Sequence, residues 1–189
     1  MPRHASIGQL GFRQVIDRIL RSLFKCRPAA ALALLLGSLI ASVSMLVLAP
    51  QAPLYAALSV ILFLPNWVWP GVLLEGIRVH HGTEMRPRSG TVWACIACVI
   101  LIDAVFFPLL GGWADEFRIA FDFANVAGFT ATAIDLWVFW TVAKVLVQAE
   151  DGREAPATRV IGTFVQFLFL PLCVYVLQRR AQRLVRSGQ

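Results

Sequence analysis

The sequence predicts an all-α membrane protein, a polytopic bundle of five transmembrane helices preceded by an amphipathic helix at the membrane surface. Of its 189 residues, 58% are apolar and only 15% are charged, and the mean hydropathy is +0.70. This composition is too hydrophobic for an ordinary soluble domain. The apolar residues are gathered into blocks of about 20, the length at which a helix crosses ~30 Å of hydrocarbon.

Residues 1–28 are predicted to form the amphipathic helix. Apolar residues recur at helical spacing in this segment, and basic residues occupy the opposite side, among them Arg13, Arg18, Arg21 and Lys25. Such a helix lies on the headgroup layer, where its basic side chains contact lipid. The alternative is a helix that docks on a partner protein.

The predicted transmembrane bundle covers residues 29–178, and a basic tail follows at 179–189. The apolar blocks predict spans at 29–49, 54–74, 91–110, 119–147 and 160–178. Every connection is shorter than about 20 residues, which leaves little room for a catalytic domain outside the membrane.

The flanking charges do not fit five crossings well. With a cytoplasmic N-terminus, twelve cations flank the inner side and five the outer side, four of them in the tail. A second block that only dipped into the membrane would give eleven and six, so the totals do not decide. Because 54–74 contains no charge, we predict that it spans, which places the C-terminus outside. All cations except Lys25 and Lys144 are Arg, which favours a bacterial source with a GC-rich genome. We predict a location in the bacterial inner membrane.

Small residues recur every four positions in the first span, at Ala29, Ala33, Gly37 and Ala41. Such a strip lets another helix approach closely. We predict that it packs inside this chain, and self-association is the alternative.

Two acids interrupt apolar spans near their centres, Asp103 in the third and Asp135 in the fourth. Each costs ~3 kcal/mol to insert there, so neither should face lipid. Asp122, Asn125, Thr132 and Asp135 fall within an arc of about 140° on the fourth helix. This face either lines a path for ions or a polar substrate, or holds helices together and meets a cation on a partner subunit.

Other chemistry-bearing residues are sparse, and we expect no cofactor. Cys95 and Cys98 form a CxxC that predicts packing, with thiol redox chemistry as the alternative. His80, His81 and Glu84 predict a protonatable loop, with metal binding as the alternative.

The leading functional prediction is an integral membrane subunit or scaffold without catalytic chemistry of its own. It would contact membrane lipids and a membrane-protein partner or a second copy, with tail contacts through Arg179, Arg180, Arg183 and Arg186. A small transporter or channel component with an Asp-lined path is the alternative, and a membrane-embedded redox or lipid-modifying enzyme comes third. Nucleic-acid binding is excluded because the basic residues lie in short flanks beside apolar blocks.

Overall fold

The computed structural model describes residues 18, 22, 26–48, 53–81, 89–113, 118–152 and 155–187. Within this part the regular structure is entirely helical, which confirms the all-α class. The six helices are α1 (Pro28–Leu48), α2 (Pro53–His81), α3 (Ser89–Trp113), α4 (Arg118–Asp151), α5 (Ala157–Leu168) and α6 (Leu170–Ser187). Nearly all of the predicted amphipathic helix at 1–28 lies outside the described residues.

Consecutive helices α1 to α4 pack against one another, and α2 also contacts α4. One side-chain hydrogen bond joins the middle of the first pair, from Asn66 Nδ2 to Ser38 Oγ at 2.7 Å. Helices α2 and α3 are in close contact at Gly71, because a Cβ added to this residue would lie only 2.8 Å from Cη2 of Trp93. A residue without a side chain is therefore what lets the indole ring lie against α2.

Two described stretches are long and apolar enough to cross a membrane, Val60–Arg78 and Val126–Asp151. Shorter apolar stretches occupy Pro28–Ser44 and Gly90–Ala104. The length and composition of these helices give weak support for a membrane location, since a buried core helix of a soluble protein can share them.

The fifth apolar block differs from its prediction as a single rod over 160–178. The helix breaks at Phe169, whose φ of −104° and ψ of 36° leave the helical range. Its carbonyl oxygen accepts hydrogen bonds from the backbone N–H groups of Leu172 and Cys173, at 3.0 and 2.9 Å, and so starts α6. Pro171 between them has no N–H, which suits the first turn of a helix and not the interior of a continuous one.

The chain reverses direction at this break. Nη1 of Arg180 donates hydrogen bonds to Oγ1 of Thr163 at 3.2 Å and to Oε1 of Gln166 at 3.0 Å. In one continuous helix, Thr163 and Arg180 would be about 25 Å apart along the axis. Helices α5 and α6 therefore form a hairpin. Nε2 of Gln182 also donates to the carbonyl oxygen of Cys26 at 2.8 Å, so α6 returns to the end of the bundle where α1 begins.

The tip of the hairpin reaches only part of the way along α4. Phe167, two residues before the break, stacks on Phe139 with ring centroids 6.0 Å apart, and Phe164 meets Trp140 edge to face at 5.6 Å. We call the part of the bundle between this aromatic contact and the end that holds Cys26, Glu150 and Arg180 the charged half. The remainder is the outer half.

Most of the fully buried large side chains lie in the charged half. There α6 packs on α1 and α2 while α5 packs on α4, so the hairpin fills the space that those helices leave. The core side chains without solvent exposure in this half include Leu73, Leu74, Ile77, Val142, Val174 and Leu177.

Candidate functional site

A network of polar side chains joins the end of α4 to both arms of the hairpin. Nε and Nη2 of Arg180 donate to the two carboxylate oxygens of Glu150, at 2.8 and 2.7 Å, in a bidentate pair. Its remaining nitrogen, Nη1, donates to Thr163 and Gln166 of α5. We call these four residues the Arg180 clasp. All three nitrogens of one guanidinium bond to protein groups, which fixes three helices relative to one another.

The clasp is largely shielded from solvent, since the side chains of Arg180 and Glu150 are 20% and 16% exposed. A second arginine, Arg159 in the first turn of α5, donates to Glu150 at 2.9 Å and also pairs with Asp151. Its side chain is 48% exposed, so solvent screens this pair more strongly. Gly152, with φ of +64°, ends α4 in the left-handed region that favours glycine.

The position of Arg180 differs from its predicted role as a lipid or partner contact, because its guanidinium is held inside the chain. Arg179 and Arg183 are exposed on the same helix, as is Arg18 near the N-terminus. Arg186 belongs to α6, but its side chain lies outside the described part, as do Arg13, Arg21 and Lys25 entirely.

Asp103 and Asp135 lie on the inward faces of α3 and α4. Asp135 continues the stripe of buried residues formed by Ala131, Val138 and Val142, and Asp103 continues the stripe of Ile96 and Val99. Both acids are half-buried, and they lie close enough for their negative charges to repel each other. Neither carboxylate has a hydrogen-bond or ion-pair partner among the residues that the structure describes.

The other members of the predicted polar face are not assembled around these acids in the described part. Thr132 is exposed, and its hydroxyl donates to the carbonyl oxygen of Gly128 in the same helix at 2.8 Å. Asp122 and Asn125 belong to α4, but their side chains lie outside the described residues. An open hollow of about 540 Å³ lies along another side of α4, and its lining is almost wholly apolar: Cys95, Val126, Phe129, Thr130, Ala133, Ile134 and Trp137.

A surface of α4 beyond the hairpin tip has no cover from the rest of the described chain. Phe139 and Trp140 contact aromatic rings of α5, but the residues one and two turns further along the same side make no such contact in the described part. Phe129 is 78% and Leu136 is 40% exposed. Gly128 is exposed as well, and a Cβ added there would meet nothing within 4 Å. We call Gly128, Phe129, Thr132, Asp135 and Leu136 the outer α4 surface.

In the part of the chain that the structure describes, the small-residue strip of α1 does not pack against another helix, unlike the prediction. Ala29, Ala33 and Gly37 are exposed and Ala41 is half-buried, and a Cβ added to Gly37 would meet nothing within 4 Å. The buried side of α1 instead carries Ala31, Leu35 and Ser42. The strip therefore faces away from the other helices, where self-association remains the open alternative.

The residues considered for redox chemistry or metal binding do not come together in the described part. Cys95 is half-buried, Cys98 is exposed, and both are free thiols. Burial raises the pKa of the Cys26 thiol, so this group is protonated at neutral pH and is a poor nucleophile. Among the residues that the structure describes, no three His, Cys, Asp or Glu side chains gather as metal ligands. His80 and His81 end α2 with side chains outside the described part, and Glu84 lies outside it altogether.

The clasp was missed at the sequence level, although the sequence carries a signal for it. Arg159, Thr163 and Gln166 lie at positions i, i+4 and i+7, which places them on one face of a helix. A polar face of that kind in an apolar block indicates a partner inside the protein. Glu150 and Asp151 at the end of the preceding block supply it.

Comparison with known protein families, with curated proteins and with solved structures finds no match to this chain. The functional conclusion therefore depends on the geometry.

Proposed function

We propose that this chain is an integral membrane subunit or scaffold without catalytic chemistry of its own. Helices α1 to α4 cross the membrane, and the α5–α6 hairpin enters and leaves it on one side. The protein then lies in a bacterial inner membrane with both termini in the cytoplasm. This arrangement has four crossings in place of the five that the sequence predicts.

The observation that carries the proposal is the return of α6 to the charged end, through the bonds of Arg180 to Glu150 and of Gln182 to Cys26. With this return, the tail arginines join the same side as the N-terminal flank, the α2–α3 connection and the end of α4. Every one of the seventeen cations except Arg118 then belongs to that side by its position in the sequence. The positive-inside rule accordingly favours this topology over the one with five crossings.

The scaffold interpretation is supported by where the polar groups are used. In the charged half the residues of the Arg180 clasp bond to one another and hold three helices together. The exposed Arg179 and Arg183 are available to anionic headgroups or to a partner protein. The described hollow along α4 is apolar and is not lined by Asp103 or Asp135. A transport path would need polar lining at that depth.

Reporter fusions test the topology. A reporter that is active only in the cytoplasm is fused to the N-terminus or to the C-terminus, and one that is active only outside is inserted at 114–117. We expect activity from all three fusions. An inactive C-terminal fusion on a protein with an active N-terminal fusion would restore five crossings and overturn the re-entrant hairpin.

Ion flux separates the scaffold from the transporter. The purified chain is reconstituted in vesicles that contain a pH-sensitive dye, and a membrane potential is applied. The scaffold proposal predicts that vesicles containing the chain leak protons no faster than protein-free vesicles do. A flux that depends on Asp135 and is lost in Asp135→Asn would establish the transporter instead.

A further inference from the structure

We propose that a transmembrane helix of a partner protein, with a Lys or Arg near its middle, docks on the outer α4 surface and sets its cation against Asp135 and Asp103. The inference rests on the proposed function, since it names the partner of the membrane subunit.

The surface continues an interface that the chain already makes. Along one side of α4, α5 contacts Phe139 and Trp140, and its tip ends there. Leu136, Thr132 and Phe129 extend the same side by about 15 Å, and all three are exposed. A helix seated on them would prolong the line of α5 through the outer half. Gly128 has open space above its Cα, which permits the close backbone approach that helix pairs in membranes favour.

Charge specifies what the partner must carry. Asp135 lies at the edge of this surface and Asp103 lies beside it on α3, and both are half-buried without a described counter-ion. An acid within a membrane costs ~3 kcal/mol unless it is paired, so a cation at the same depth is the complementary group.

Among the residues that the structure describes, no basic side chain forms an ion pair with either acid. The basic residues of α4 are Arg118 and Lys144, which are about 25 and 13 Å from Asp135 along the helix axis. Lys144 is exposed, on the far side of the hairpin tip. A second copy docked α4 against α4 would bring two more acids at the same depth, and one docked through α1 would bring no charge, because α1 has no charged residue. The occupant is therefore a helix of different sequence.

Synthetic helices supply the probe. The full chain is reconstituted in phosphatidylcholine vesicles with one of two dansyl-labelled Leu/Ala peptides of about 20 residues, long enough to span. The peptides are identical except for a central Lys or a central Leu. Binding is measured by energy transfer from the tryptophans of the chain to the dansyl group. We expect the Lys peptide to bind the wild-type chain about tenfold more tightly than the Leu peptide.

Three variants assign the preference to the acids. Asp135→Asn should abolish the difference between the two peptides, Asp135→Glu should keep it, and Leu101→Ala, an exposed position of α3, should leave it unchanged. Equal binding of the two peptides to the wild-type chain would overturn the inference, as would a preference that survives Asp135→Asn.

The same vesicles keep the two proposals distinct. Protease added from outside should remove both tagged termini from one orientation of the chain and neither from the other. If each molecule loses only one of its two tagged termini, the four-crossing proposal fails. If they are cleaved together while the peptides bind equally, the docking inference alone fails.

Discussion

The charged half and the outer half of the bundle use similar residues in opposite ways. In the charged half, the acid Glu150 lies between two arginines and six helices enclose the core. In the outer half, Asp135 and Asp103 have no partner in the described part, and only α1 to α4 continue. In the charged half the chain thus pairs Glu150 with its own arginines, although Oε2 of Glu75 is buried there without a described hydrogen-bond partner. The outer half presents acids and apolar side chains that the described part of the chain does not cover. We infer that stability resides in the first and recognition in the second.

A phenylalanine in each half gives the largest expected contrast. Phe167 is fully buried between α5 and α4, so Phe167→Ala should lower the free energy of unfolding by about 3 kcal/mol through the cavity it leaves. Phe129 is the matched control, since it is 78% exposed on the outer α4 surface. Phe129→Ala should change the free energy of unfolding by less than about 0.5 kcal/mol. Unfolding in mixed micelles with increasing dodecyl sulfate, followed by circular dichroism, measures both. Equal losses would show that the halves do not differ in packing.

Neighbouring arginines give the next contrast. Arg180→Ala removes the clasp and leaves Glu150 partly buried with only Arg159, so we expect a loss of about 2 kcal/mol in the free energy of unfolding. Arg179→Ala removes an exposed cation from the same helix and should have an effect below about 0.5 kcal/mol. The micelle unfolding midpoints of the two variants decide. If the clasp does not stabilise the fold, Arg180→Ala and Arg179→Ala will have the same unfolding midpoint.

The smallest expected effect comes from neutralising an acid in the outer half. Asp135→Asn removes a charge that repels Asp103 and breaks no described hydrogen bond, so this variant should not lower the free energy of unfolding. The same chemical change in the charged half, Glu150→Gln, should cost about 1 kcal/mol or more, because Arg180 loses its charged partner and Arg159 keeps only Asp151. If Asp135→Asn is the more damaging of the two, Asp135 is a structural residue.

The sequence was sufficient for the helical class and for the helices of the first four apolar blocks, because uninterrupted runs of 20 or so apolar residues favour helices. Only two of these helices contain a described stretch long and apolar enough to cross a membrane. It was not sufficient for the fifth block. Phe169 and Pro171 look like members of an apolar run, and the reversal is fixed by Glu150, Thr163 and Gln166, which lie far from Arg180 in the chain.

For the candidate site, the depth of Asp103 and Asp135 within their blocks was readable from the sequence, but their surroundings were not. Whether an acid is enclosed depends on how far a neighbouring element extends. Here the hairpin tip ends beside Phe139, one turn short of Asp135. The orientation of the α1 strip was unreadable for a related reason, since small residues favour close contact equally with the same chain or with another.

The half-depth hairpin also bears on how such a protein is made. Because α5 and α6 would enter and leave through one leaflet, the insertion machinery would never have to carry the arginine-rich C-terminus across the bilayer. In the proposed topology, α1 to α4 insert during translation. The α5–α6 hairpin inserts afterwards from the cytoplasmic side, and its position is fixed when Arg180 pairs with Glu150.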